Sequence, residues 1–204
     1  MVITVSRDCG CSGTALVRQL VDDLNRISTP KKGDWRYVSK DILEESARRL
    51  KLKPGKVTRL LNAQDKNLFE EMLLGLSSEN YPSDLKIKKT LKSVIQAVAD
   101  EGNVIVLGRG GVAVLHDLDN TIHIKLTAPL DWRVEQVMID QDIPKAKAKK
   151  AVVESDKDRQ SLKSFYAGGD IELSDYDMVF NVSKMSQSEI VEAIRSVIRV
   201  KVNA

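Results

Sequence analysis

Apolar residues fall along this chain in two alternating patterns, short unbroken runs and longer stripes at helical spacing. Residues 2–6, VITVS, are a β-branched run that stops at Arg7, Asp8 and Gly10, which suits a buried parallel strand ending in a turn. Leu16, Val17, Leu20, Val21 and Leu24 then recur three or four residues apart and predict a helix over 14–25. After a surface connection carrying Pro30, Lys31, Lys32 and Gly33, residues 35–38 read as a second strand. Ser39 stands where an N-cap belongs, ahead of the helical stripe Ile42, Leu43, Ala47 and Leu50.

Residues 54–101 hold helical stripes and no strand pattern, so a helical insertion is expected there. Residues 104–107, VIVL, are a fully apolar strand followed by Gly108, Arg109, Gly110, Gly111 and a short helix through Leu115. TIHIKL at 121–126 alternates, as a strand with one drier face does, and Pro129 opens a helix bearing Val134, Val137 and Met138. A long charged helix is expected from about Pro144 to Tyr166, ending at Gly168 and Gly169, with a mostly solvated middle. Residues 178–181 read as the last strand and 186–200 as the closing helix. Five short strands separated by helices predict an α/β fold with a parallel sheet and helices on both faces. Ligands of such sheets meet the carboxyl ends of the strands, which nominates three loops: 7–13, 108–111 and 181–184.

Composition narrows the partners. With 32 Lys plus Arg against 29 Asp plus Glu, the net charge of +3 gives no footprint for a nucleic-acid polymer, so an anion site must be local. The longest apolar runs are far short of the roughly 20 residues of a bilayer span. The first residues do not read as a basic and apolar leader, so a cytoplasmic protein with no membrane partner is expected. Nothing in the pattern marks an oligomeric state. Cys9 and Cys11, one residue apart in a loop, are the two cysteines and His116 and His123 the two histidines, an arrangement that gives neither a four-ligand zinc site nor a disulfide framework. The histidines have no acid, cysteine or serine at a diagnostic spacing for a hydrolytic triad.

The loop between the first strand and first helix has the arrangement that aims backbone amides and a helix dipole at a phosphate. Against the phosphate-loop pattern GxxxxGK[ST], however, RDCGCSGT matches only at Thr14: Arg7 and Ser12 replace the glycines and Gly13 the lysine. Two readings stay open, a phosphate cradle and a tight turn. Arg109, between glycines at a strand end, suits two hydrogen bonds to an anionic group, or an ion pair with a surface carboxylate. Asp156 and Arg159 share a helix face, either to act jointly on a ligand or as an exposed pair worth about 0.3 kcal/mol. Arg133, one turn into its helix, carries less signal.

Taken in order, ITVSRDCGCSG, YVSKDILEESA, VIVLGRGG, LTAPLDWRVEQVM and ESDKDR with FYAGG and SDYDMVFNVSKMS resemble the cytidylate-kinase-like family, a branch of the P-loop nucleoside monophosphate kinases. The likeness covers about residues 2–50 and 103–200; residues 54–101 correspond in being helical. It implies a single three-layer α/β kinase domain over 1–204 with strand order 2-3-1-4-5, an acceptor-binding insertion at 54–101 and a lid at about 144–170. It also implies ATP as donor, Mg²⁺ as cofactor and a nucleoside monophosphate, CMP among them, as acceptor. By position, Gly10, Cys11, Ser12, Gly13 and Thr14 would hold ATP phosphates, with Thr14 nearest the magnesium and Asn181 and Ser183 beside the adenine. Ser39, Arg109 and Asp156 would serve the acceptor, and Arg133 and Arg159 the phosphoryl group in transit. The family commonly has glycine where the pattern has lysine; from the residues themselves, Arg7 is the cation expected to substitute for it. The family's start reads ITISREFGSGG, and its better-studied cytidylate kinases carry an acidic residue where this chain has Gly110. These departures keep two alternatives: a non-catalytic or regulatory nucleotide-binding protein, and a kinase for a non-nucleotide acceptor.

Overall fold

Val2, Ile3 and Val5 are buried together with Thr4 and Ser6, so β1 (Val2–Arg7) has no solvent face until Arg7. That composition suits the centre of a sheet, and β1 lies there. The structure, a computed structural model, describes residues 1–27, 34–38 and 84–203. Around β1 stand β2 (Arg36–Val38), β3 (Val104–Leu107), β4 (Thr121–Thr127) and β5 (Met178–Asn181), all parallel, in the order β2-β3-β1-β4-β5. This is the expected fold class and strand order. The register sets Val5 beside Leu107 and Arg7 beside Leu126, bringing the carboxyl ends of β1, β3 and β4 to one edge.

Side-chain alternation divides the core. On one face Leu16 and Leu20 of α1 (Gly13–Ile27) and Ile190 and Ile194 of α6 (Gln187–Asn203) pack on Ile3, Val5, Ile105 and Ile122. On the other, Val94 and Ile95 of α2 (Asp84–Asp100) and Val114 of α3 (Gly111–Val114) pack on Val2, Val104 and Val106. Each such Leu or Ile contributes about 1.5–3 kcal/mol on burial, which makes a three-layer arrangement the stable outcome.

A third cluster positions the site. Val134 and Val137 of α4 (Leu130–Gln141) pack on Ala148 and Val152 of α5 (Lys145–Ala167), and Cys9 lies against them. Pro144 and the left-handed Gly168, with φ of +75°, bound α5 as expected. Its lysine-rich start is exposed, but its second half turns toward the sheet edge and is not a solvated face.

The second strand is shorter than 35–38. Trp35 leaves the ladder because both its backbone groups bond the Asn25 side chain, its N–H to Oδ1 at 2.6 Å and its carbonyl to Nδ2 at 2.9 Å. Ser39, the helix expected after it, and the part of the 54–101 insertion before Asp84 lie outside the described residues. Among the described residues no helix is long and apolar enough to cross a membrane.

Candidate functional site

Beyond the carboxyl ends of β1 and β3, and against α5, lies a cavity of about 510 Å³. Its described lining includes five cationic side chains, Arg7, Arg109, Lys125, Arg159 and Lys163, and three carboxylates, Asp8, Asp156 and Asp158. Arg7 arrives from the end of β1, Arg109 from the loop after β3, Lys125 from β4, and Arg159 and Lys163 from one face of α5.

Arg7, Arg109 and Arg159 face one another. Burial first, and then the charges of Arg159 and Arg109, draw the Arg7 guanidinium down to about 10, still protonated at neutral pH. Burial, followed by the charge of Arg159, likewise holds Arg109 below its usual value. Arg159 is braced by donating from Nη1 to the Arg7 carbonyl at 2.8 Å. Half-buried guanidiniums held close against their own repulsion have the chemistry to take a multiply charged anion.

The Gly-Arg loop reaches this geometry through three successive left-handed residues: Gly108 at φ +71°, Arg109 at +59° and Gly110 at +71°. A non-glycine residue in that region costs roughly 1–2 kcal/mol, so Arg109 is held in a strained direction that points it into the cavity. Gly110 has a second constraint, since a Cβ there would collide with the ring of Tyr166.

Asp8 anchors the first loop to β4. Lys125 donates to its Oδ1, and the Thr127 hydroxyl to Oδ2 at 2.6 Å. Burial pushes the Asp8 carboxyl up, but these two hydrogen bonds and the charges of Lys125 and Arg133 outweigh it and hold it below the carboxylate norm.

The expected site residues divide between the cavity and its frame. Arg7, Arg109, Arg159 and Asp156 share the cavity. Arg133 is 8% exposed and its guanidinium serves the protein: Nε donates to the Ala128 carbonyl at 2.9 Å, and Nη1 to the Cys9 carbonyl at 3.1 Å and to Asp156 Oδ2 at 2.5 Å. The other oxygen of Asp156 accepts the Cys9 N–H at 2.7 Å. Asp156 and Arg159 are therefore not an exposed pair; each ties α5 to the first loop. Gly10, at φ +87°, is required by packing, because a Cβ would lie 2.6 Å from the Arg133 carbonyl oxygen.

Cys11 is buried, and burial together with the nearby Asp8 pushes its thiol up to about 11, so it is neither a thiolate nor a nucleophile at neutral pH. Ser12 and Thr14 are exposed at the start of α1. Asn181 and Ser183 form a local turn after β5, the Asn181 Oδ1 accepting the Ser183 N–H at 3.0 Å and its hydroxyl at 2.7 Å. Neither is part of the cavity wall described above. Among the described residues no group of three His, Cys, Asp or Glu side chains is placed to hold a metal by itself.

Lys163, Lys125, Asp8 and Tyr166 belong to the site and escape a reading by motif. A signal existed for two of them, since Asp156, Arg159, Lys163 and Tyr166 follow one another at helical steps of three or four. Burial, with the charges of Lys125 and Arg159, pulls the Lys163 ammonium down to about 8 against the opposing pull of Asp8 and Asp156.

A parallel 2-3-1-4-5 sheet, a glycine-containing loop between its central strand and first helix, and a cationic cavity at the carboxyl edge define an α/β protein of the P-loop kinase type. The chain belongs to the cytidylate kinase-like family, which matches it over residues 2–184. A protein of Methanopyrus kandleri named cytidylate kinase is 28% identical over 153 residues, 71% of this chain and 77% of that one. A protein of Corynebacterium glutamicum named uronate isomerase is 32% identical over 108 residues, 52% of this chain, and the match spans 20% of that protein's length. Among solved structures, an uncharacterized protein from Eubacterium ventriosum has a TM-score of 0.68 at 18% identity, and shikimate kinase from Bacteroides thetaiotaomicron 0.54 at 11%, each covering 98% of both chains. These two share the fold. Family membership supports a phosphotransferase.

Proposed function

We propose that the protein transfers the γ-phosphoryl group of ATP to a nucleoside monophosphate, with CMP the first acceptor to test. The observation that carries this reading is the convergence of Arg7, Arg109 and Arg159 from three separate segments on one cavity at the carboxyl edge of the sheet. Phosphoryl transfer asks little covalent chemistry of a protein; it asks for positioning and for positive charge around the moving group. An acceptor phosphate oxygen bonds to the γ-phosphorus as the bridging oxygen leaves with ADP, and the guanidiniums offset the charge that the two phosphates bring together.

In this scheme residues 10–14 hold the phosphates of ATP, and Asn181 and Ser183 border its adenine. Arg109 takes the acceptor's phosphate and Arg159 the phosphoryl group in transit. Arg133 and Asp156 keep α5 against the first loop, so that residues 144–170 act as the lid that excludes water. Ser39 and residues 54–101 complete the acceptor site. Thr14 would be the protein's ligand to magnesium: it is an exposed hydroxyl-bearing residue in the first turn of α1. An ion arriving with ATP already carries phosphate and water oxygens and needs few from the protein. When bound, magnesium neutralises charge on the β- and γ-phosphates.

A second reading, a kinase for a non-nucleotide acceptor, draws on Gly110. The position that is acidic in cytidylate kinases is closed to any side chain here by the ring of Tyr166, so this chain addresses its acceptor differently. The test is release of ADP from Mg-ATP across a panel of nucleoside monophosphates, uronate and shikimate. Turnover with CMP or another monophosphate, lost in Arg109→Ala, supports the first reading. Turnover with an unphosphorylated hydroxy acid supports the second. ATP binding with no turnover on any acceptor points to a nucleotide-binding protein without catalysis.

A further inference from the structure

Lys163 is a half-buried ammonium to which the surrounding fold gives little answer. It leaves α5 one turn after Arg159 and lines the cavity together with Ser6 and Lys125, which the register sets side by side on β1 and β4. Its ammonium donates to the Tyr176 hydroxyl at 3.4 Å, a long hydrogen bond, and stands 6.0 Å from the centre of that ring. The Ser6 hydroxyl lies beside the same Tyr176 oxygen. Two carboxylates are near, but both are engaged elsewhere. Asp8 accepts from Lys125 and Thr127, and Asp156 from the Cys9 N–H and Arg133, so each of their oxygens already holds a donor. Among the described residues no carboxylate forms an ion pair with Lys163. Burying a charge without a counter-charge is costly, and an ammonium has three donors where the protein offers one weak acceptor.

Lys163 stands apart from the arginine cluster. The charges that act most on Arg7 are those of Arg159 and Arg109, and on Arg109 that of Arg159. Around Lys163 they are instead Lys125, Asp8, Asp156 and Arg159. Arg159 is common to both groups, so the cavity has two cationic ends with one guanidinium between them. We infer that Lys163, with the Tyr176 and Ser6 hydroxyls beside it, is a second anion subsite that takes a phosphate oxygen of the bound substrate, on the other side of Arg159 from Arg109. Burial keeps the Tyr176 hydroxyl protonated, so it too can donate. This deepens the function proposed above and rests on it for the source of the phosphate, acceptor or donor. None of residues 10–14, assigned there to ATP, lines the cavity, which favours the acceptor. Beside Arg159, the Lys163 ammonium offsets the charge of two phosphates brought together.

Calorimetric titration of inorganic pyrophosphate into wild type, Lys163→Met, Lys163→Arg and Lys201→Met tests this without reference to turnover. Lys163→Met should bind about tenfold or more weakly, as loss of a charge-assisted hydrogen bond does. Lys163→Arg should keep most of the affinity, and Lys201→Met, which removes the same charge from the exposed end of α6, should bind as wild type does. A binding role has a second signature. Because the protein gives Lys163 no counter-charge, Lys163→Met should melt at or above wild type by circular dichroism, whereas loss of a structural residue lowers the melting temperature. Weaker binding with an unchanged or raised melting temperature supports the inference. Equal affinity in Lys163→Met, an equal loss in Lys201→Met, weaker binding that comes with a lower melting temperature, or no pyrophosphate binding by wild type overturns it. Should Lys163→Met fail to fold, Lys163→Gln, which keeps a donor for Tyr176, decides by the same criteria. Titrations with CMP and with Mg-ATP then separate the sources: a loss confined to CMP gives the subsite to the acceptor, and one confined to Mg-ATP gives it to the donor. If wild type transfers no phosphate to any acceptor, the proposed function fails while the pyrophosphate affinities still decide the subsite.

Discussion

Arg133 holds the lid helix to the first loop, and the strength of that hold is calculable from its surroundings. In Arg133→Met the apolar stem remains, but the Ala128 and Cys9 carbonyls lose their donors and Asp156 loses its counter-charge. Removing one partner of a buried ion pair costs about 3–5 kcal/mol. The Asp156 side chain is 26% exposed, so water reaches it and softens the loss; about 3 kcal/mol is expected. For a chain of this size each kcal/mol moves the melting temperature by roughly 2–4 °C, which gives a fall of about 10 °C. Asp156→Asn, which keeps an acceptor for the Cys9 N–H, should cost less, about 1–2 kcal/mol. Because the two residues touch, the double variant should fall short of additivity by about 1 kcal/mol or more. Urea denaturation of the four proteins measures all of this. A loss under 1 kcal/mol in Arg133→Met, or strict additivity, would mean that this pair does not fasten α5 to the loop.

Three further outcomes follow from local structure. Gly110→Ala meets both a left-handed backbone and the Tyr166 ring and should lose about 2–4 kcal/mol; pairing it with Tyr166→Ala should recover part of that, and a neutral Gly110→Ala in urea melts would contradict the contact. Asn25→Ala leaves the N–H and carbonyl of Trp35 without their partners and should cost about 1–3 kcal/mol in the same assay, whereas a stability equal to wild type would reject the role given to Asn25. For Lys163, the folded-state value of about 8 lies below its usual 10.5, so between those limits the unfolded chain binds more protons and folding stability rises with pH. Wild type should therefore gain stability relative to Lys163→Met from pH 8 to pH 10, and parallel pH profiles would show that Lys163 is not perturbed.

How much of this was legible in the sequence depended on how local each cause was. The runs VITVS and VIVL declared buried strands because a central parallel strand leaves no polar face, and both lie in the interior of the sheet. Trp35 was misassigned to a strand because its ladder bonds are taken by Asn25, ten residues earlier, through a side chain whose reach no periodicity reports. Arg109 stood out because its flanking glycines are the sequence trace of a left-handed loop. Lys125 and Asp8 did not, since their meeting depends on the register of β1 against β4. Arg133 carried a legible charge but an illegible use: two of its three acceptors are backbone carbonyls, which every residue has. Gly13 shows the same dependence on space: a Cβ there would stand 2.5 Å from Arg7 Cδ, a neighbour six residues earlier that no motif reports.

The measurement that tests the central claim most directly is transfer of label from γ-labelled Mg-ATP into CMP and its companion monophosphates, followed by chromatographic separation, for wild type and Arg109→Ala side by side. The converging arginines predict a labelled diphosphate with wild type and a loss of about 100-fold or more when Arg109 is removed. Labelled diphosphate formed equally well by both proteins, or by neither, contradicts the account.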